Sequence, residues 1–204
     1  MVKTYMAPLL VQEVFVGTES HHVGVFGFTR STPLIPETIT KLTKQFESTH
    51  RLTLQIMDAN KVAGPDHLLF ATLHAYTAFH HKTNRASTLA MEILRFAAAQ
   101  RQITEALNQM GVSSATCQFG GVLTNSEAAS LETAYRGFLS FVKGTDDTSV
   151  LEITTEHKEH VIREAFQIRE DELMAISPSM ELEDRRQALK KTVYDRCALL
   201  AISR

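Results

Sequence analysis

The apolar positions of this chain change period as the sequence advances, and that change limits the folds open to it. Leu9 to Val16 (LLVQEVFV) is dense in branched residues, and Leu52, Leu54 and Ile56 alternate with polar partners across Arg51 to Met57. Both runs predict strands. Ala115 to Leu123 predicts another, interrupted by Gly120-Gly121, and Val150 to Ile153 a short one. Gly17 to Phe28 holds three glycines, two histidines and alternating apolar positions, so it reads as a loop or hairpin leading into an edge strand.

Between these runs the period is helical. Pro36 opens a helix to Glu47, and Gly64-Pro65-Asp66 starts one that runs to about Lys82, with Leu69, Leu73 and Tyr76 on one side. A second helix of that pair begins near Ser87. Its Leu89, Ile93 and Phe96 stripe continues through Ile103, Leu107 and Met110 to Gly111, the usual residue past a helix end. Further helices are predicted from Asn125 or Ser126 to Val142, from Glu156 to Phe166, from Arg169 to Ala175 and from Glu181 to Ile202. The buried stripe of the last is Leu182, Leu189, Val193, Cys197 and Leu200. Gly144 to Asp147 reads as a turn, and Ser177-Pro178-Ser179 is the linker-like punctuation. The order implies an α+β single domain over residues 1–204, with a small antiparallel or mixed sheet packed with several helices.

Composition narrows the function classes. At 204 residues the chain can bury a core without staples, and 44% hydrophobic with 22% charged residues is ordinary for a globular protein. No apolar run approaches the roughly 18–20 residues of a membrane span, and Met1 to Tyr5 lacks the layout of a signal peptide. Cys117 and Cys197 form no CxxC and read as reduced thiols. These features together predict a cytoplasmic protein without a membrane partner. The net charge of −2 argues against a free-standing domain that binds RNA over a broad basic face.

Catalytic fingerprints are missing. There is no phosphate-binding G-x-x-x-x-G-K-[ST], no G-x-G-x-x-G after a strand and no G-x-S-x-G elbow. His157 and His160 lie on one helical face beside Glu156 and Glu159, the only place from which a metal-dependent hydrolase could be argued. The sequence offers no third or fourth ligand in register, so a solvated polar face is the better reading. His67 falls in the first turn of its helix, where free amides can meet a phosphate. On the last helix, Arg185, Arg186, Lys190, Lys191 and Arg196 are offset in part by Glu181, Glu183 and Asp184, which reads as a solvated face.

Leu89 to Ile103 is the informative stretch. Glu92 and Arg95 can pair at three residues apart. Gln100, Arg101 and Gln102 then crowd two planar amides and a guanidinium together. Such groups suit base edges and phosphates. They suit equally a helix junction that needs hydrogen bonds.

Asp58 to Ala63, His67 to Ala71 and above all Met91-Glu92-Ile93-Leu94 with Gln100-Arg101-Gln102-Ile103 resemble the regulatory subunit of the KEOPS tRNA-modification complex, in its archaeal type. The likeness continues through Ser149 to Ile153, Ile162 to Ile168 and Val193 to Ile202. The resemblance implies a non-catalytic subunit without cofactor or metal. It further implies that such a subunit supports threonylcarbamoyl-adenosine formation by binding a kinase-like ATPase subunit and the 3′ end of tRNA. It implies RNA contacts at Lys61, His67, Arg95, Gln100, Arg101 and Gln102, and a partner surface at Leu199 and Ile202. Two departures stand out. Relatives of this type often carry basic residues before the histidine, where this chain has Gly64-Pro65-Asp66, and glycine before Gln-Arg-Gln, where it has Ala99. Ser177 to Glu183 resembles an insertion.

Overall fold

Leu10–Val16 forms β1, turns at Gly17 in the left-handed region (φ 62°) and returns as β2, Glu19–Thr29. The computed structural model describes residues 9–177, 179 and 181–202. Met1 to Tyr5, and Pro178 and Met180 within the expected linker and insertion, lie outside the described residues. β2 pairs with β1 on one side and with β4, Gln118–Asn125, on the other. β4 in turn pairs with β3, Thr53–Asp58, giving an antiparallel order β1-β2-β4-β3. A short β5, Thr145–Asp146, adds to the end of β2.

β2 is therefore an inner strand, not the expected edge. Val23 through Phe28 are buried without a break, because helices cover both faces of the sheet. A strand covered on both faces loses the alternation that marks a half-exposed one. Val150 to Ile153 also differs from expectation. Thr145, Asp146 and the Asp147 N–H (to Gly27 O, 3.0 Å) already complete the end of β2. The chain then turns away as a 3-10 turn at Thr148–Leu151.

On one face of the sheet, Phe26, Phe28, Leu54, Phe119 and Leu123 pack against α1, Pro36–His50, and α5, Ala128–Val142. On the other, Val23, Val25, Met57 and Val122 meet a larger helical layer. That layer contains α2, Pro65–His80; α3, Leu89–Ala97; α4, Ile103–Met110; α6, Glu156–Phe166; α7, Glu170–Ile176; and α8, Leu182–Ile202. α8 buries Leu189, Val193 and Cys197 as its stripe predicts, with Leu200 partly buried, while Leu182 stays exposed beside His160 and Arg163 of α6. Both cysteines are free thiols, and burial pushes Cys197 up to about 12. No helix among the described residues is long and apolar enough to cross a membrane.

A candidate binding groove between the 98–102 loop and the last helix

The expected helix from Ser87 to Gly111 is two helices with a loop between them. Ala97-Ala98-Ala99 has the best possible helix propensity, yet α3 stops there. The reason lies in its carbonyls. The Ala97 carbonyl accepts from His67 Nε2 (2.8 Å), the Ala98 carbonyl from Gln109 Nε2 (3.1 Å) and the Gln100 carbonyl from Arg95 (3.4 Å). In a continuous helix the first two would take the amides of Arg101 and Gln102. Side chains take their place, and α3 closes with Ala99 N–H to Phe96 O and Gln100 N–H to Arg95 O. That is a Schellman ending, with Ala99 in the left-handed position (φ 51°) where glycine is usual.

His67 is the deepest part of this support. Its ring is fully buried on α2, packed edge-on against Phe166. Nδ1 accepts the Ala63 amide at 3.1 Å, so Nε2 carries the proton that goes to Ala97. Burial, helped by the positive charge of Lys158, pulls its pKa down to about 4, and the ring is neutral at pH 7. Arg95 is also buried. Its guanidinium grips the equally buried Glu92 carboxylate through Nε (3.1 Å) and a terminal nitrogen, and lies 4.5 Å from the centre of the Phe96 ring. Glu92 further accepts the amides of Arg85 and Ala86 (3.3 and 2.8 Å), fastening the α2–α3 connection.

The direct RNA contacts expected of His67 and Arg95 thus differ from where the fold puts them. Both sit beneath the loop with their polar atoms engaged by the protein, and they hold it from below. Gln100 is divided: it lines the surface while its amide donates to Gln109 Oε1 at 2.6 Å. Arg101 and Gln102 are exposed. Lys61, half-buried in a 3-10 turn (Ala59–Lys61), does not line this surface. Gln109 was not singled out in the sequence. A polar residue in the last turn of a helix carries no local signal of a bond to a carbonyl eleven residues back.

Residues 99–102 and Glu105 form one wall of an open groove of about 620 Å³, and Arg196, Leu199, Leu200 and Ile202 of α8 form the other. Leu199 is 50% exposed and Ile202 75%. Gln100, Arg101 and Gln102, three of the residues expected to serve RNA, therefore face Leu199 and Ile202, expected to serve a protein partner. Arg196 is held toward α7 by Glu172 at 2.7 Å. His157 and His160 are exposed on α6, and among the described residues no group of three or more His, Cys, Asp or Glu side chains could hold a metal ion. Among the described residues the metal-dependent hydrolase reading finds no ligand set.

The fold is that of a small α+β protein with a loop braced from beneath and exposed aliphatic side chains opposite its polar tip. The model of the kinase binding protein CGI-121 family matches residues 36–201. Over 118 residues the chain is 39% identical to the regulatory protein Cgi121 of Methanocaldococcus jannaschii, which covers 58% of this chain and 72% of that one. The chain belongs to the CGI-121 family, as the resemblance at Met91 to Leu94 and Gln100 to Ile103 implied.

Proposed function

We propose that the protein is a non-catalytic, cytoplasmic adaptor that binds a kinase-like ATPase subunit of a KEOPS-type complex together with the 3′ end of tRNA, and so supports threonylcarbamoyl-adenosine modification. The observation that carries this reading is the shared groove. Arg101 and Gln102 offer a guanidinium and an amide suited to phosphates and bases. Leu199 and Ile202 on the facing wall leave aliphatic surface that a protein partner can bury. His67, Arg95 and Gln109 act indirectly by fixing the loop, and Gln100 contributes from its rim. Lys61 serves as a more distant phosphate contact.

Partner and RNA are separated by one set of mixtures. The purified chain is combined with the kinase-like subunit, and with tRNA carrying or lacking its 3′ terminal nucleotides. Arg101→Ala with Gln102→Ala should weaken tRNA binding at least about tenfold, consistent with the loss of charge-assisted contacts, and leave co-elution with the kinase-like subunit intact. Leu199→Asp with Ile202→Asp should abolish that co-elution. Equal affinity for the two tRNAs removes the RNA half of the proposal, and no co-elution of the unaltered chain removes the other.

A further inference from the structure

A second groove, away from the first, opens along the free edge of β3. It measures about 500 Å³ and runs between α1 on one side and α3–α4 on the other, with Leu54 to Ile56 at its bottom. β3 ends the strand order, so its outer peptide groups have no neighbouring strand. Two of them are held by side chains instead. The Leu54 amide donates to Glu47 Oε1 (2.9 Å), and Gln55 Nε2 curls back to donate to the Ile56 carbonyl (2.7 Å). These are an acceptor and a donor placed where the backbone of an added strand would supply them.

We propose that this edge is a docking site for an extended segment of a partner protein, which adds beside β3 by displacing Glu47 and Gln55. An edge that only needed protection would be served by an exposed charge or a proline. Here the edge lies recessed in a trough walled by Met91, Leu94 and Leu107. Recession also selects the occupant. Two copies of this chain cannot bring two sunken edges together, whereas a single extended segment fits between the helices. Charge completes the description. Glu47 is half-buried, and burial raises its pKa. Once Leu54 bonds the incoming strand, the Glu47 carboxylate loses its amide donor. It keeps only the charge of Lys44, which is exposed on the same wall and makes no ion pair with it. A basic side chain on the segment gains a partly buried carboxylate to pair with. The segment therefore carries a lysine or arginine facing Glu47, among alternating apolar side chains.

A library of displayed random peptides panned against the full chain supplies the probes. Selected peptides should alternate apolar residues around one basic residue, and should slow amide exchange at Leu54 and Ile56. A lysine peptide should bind about fivefold tighter than its norleucine twin, the scale of one partly exposed ion pair, and Glu47→Ala should bring that ratio to one. Leu107→Arg, which fills the trough, should abolish binding. Thr43→Arg on the opposite wall does the same should Leu107→Arg fail to fold, as judged by its thermal midpoint. Selected peptides that protect the Val11–Phe15 edge of β1 instead, that ignore both arginine variants, or that show no preference for lysine would overturn the proposal. So would a dimer of the free chain that Leu107→Arg dissociates. Neither arginine variant touches Arg101 or Leu199, so unchanged binding of tRNA and of the kinase-like subunit separates this result from failure of the adaptor reading.

Discussion

At the scale of single residues, Ala99 and His67 decide the shape of the 98–102 loop. Ala99 occupies the left-handed region, where a Cβ costs roughly 1–2 kcal/mol, offset in part by the greater chain entropy of glycine. Ala99→Gly should therefore stabilise the protein by about 0.5–1 kcal/mol in urea unfolding, without altering the loop. An unchanged or lowered midpoint would show that the Ala99 backbone is not under this strain. His67 presents the opposite case. His67→Ala strands the Ala63 amide and the Ala97 carbonyl in the core and leaves a cavity. We expect a loss of about 3 kcal/mol, with faster amide exchange across residues 98–102 and weaker tRNA binding. Weaker tRNA binding with unchanged exchange in the loop would refute the bracing role. The histidine was visible in the sequence as a residue in a helix's first turn, a position that suggests a phosphate contact. Its burial was not visible, because the groups that enclose it, Ala97, Phe166 and Tyr194, arrive from far along the chain.

At the scale of elements, legibility follows the range of the interactions that end each one. α6 begins and ends as expected, since its start is local: the Thr155 hydroxyl accepts the Lys158 amide at 3.2 Å, and Glu156 and Glu159 favour the first turn. The break between α3 and α4 was legible only as one of two readings, since Gln100, Arg101 and Gln102 suited a helix junction as well as an RNA contact. Three alanines in a row argue for continuation, and what stops them is a histidine thirty residues earlier and a glutamine eleven residues later. β2 was misplaced at an edge for the same reason, its missing alternation being a result of helices that pack on both faces. Within α3 the Glu92–Arg95 pair was legible by spacing, but not its burial, which turns a surface ornament into an internal tie. Removing one partner of a buried pair leaves an isolated charge, which costs about 3–5 kcal/mol. Glu92→Ala should therefore be severely destabilising. Glu92→Leu combined with Arg95→Met should lose less than Glu92→Ala alone, because no lone charge remains. The double variant should still fall short of the parent, since the Arg85 and Ala86 amides lose their acceptor. Denaturant midpoints of the three proteins test the order, and a double variant weaker than the single one would contradict it.

At the scale of the whole molecule, buried ionisable groups set how stability varies with pH. For two bases burial favours the neutral form. Burial lowers His67 from 6.5 to about 4 and Lys158, whose ammonium donates to the Val150 carbonyl, from 10.5 to about 7. For each, the unfolded chain binds more protons than the native one between the two values, so stability rises with pH there. The His67 contribution is complete above pH 6.5 and is lost as pH falls toward 4, on the order of 3 kcal/mol in all. The Lys158 contribution grows from pH 7 to 10.5. Cys197 and the tyrosines act in the other direction. Burial raises Cys197 from 9.0 to about 12 and lifts Tyr76, Tyr135 and Tyr194 above 10. The native state keeps protons that the unfolded chain releases, and the stability these groups contribute starts to fall once pH passes 9. The maximum should accordingly lie on the alkaline side, at about pH 8–10, beyond the usual span of roughly pH 5 to 8. Denaturant unfolding at a series of pH values from 4 to 11 measures this directly. Lys158→Met identifies the main cause: the stability difference between parent and variant should move in the parent's favour from pH 7 to pH 10. A difference that stays flat across that range would mean that Asp58 and Glu152, whose charges favour the ammonium, keep Lys158 protonated in the folded protein.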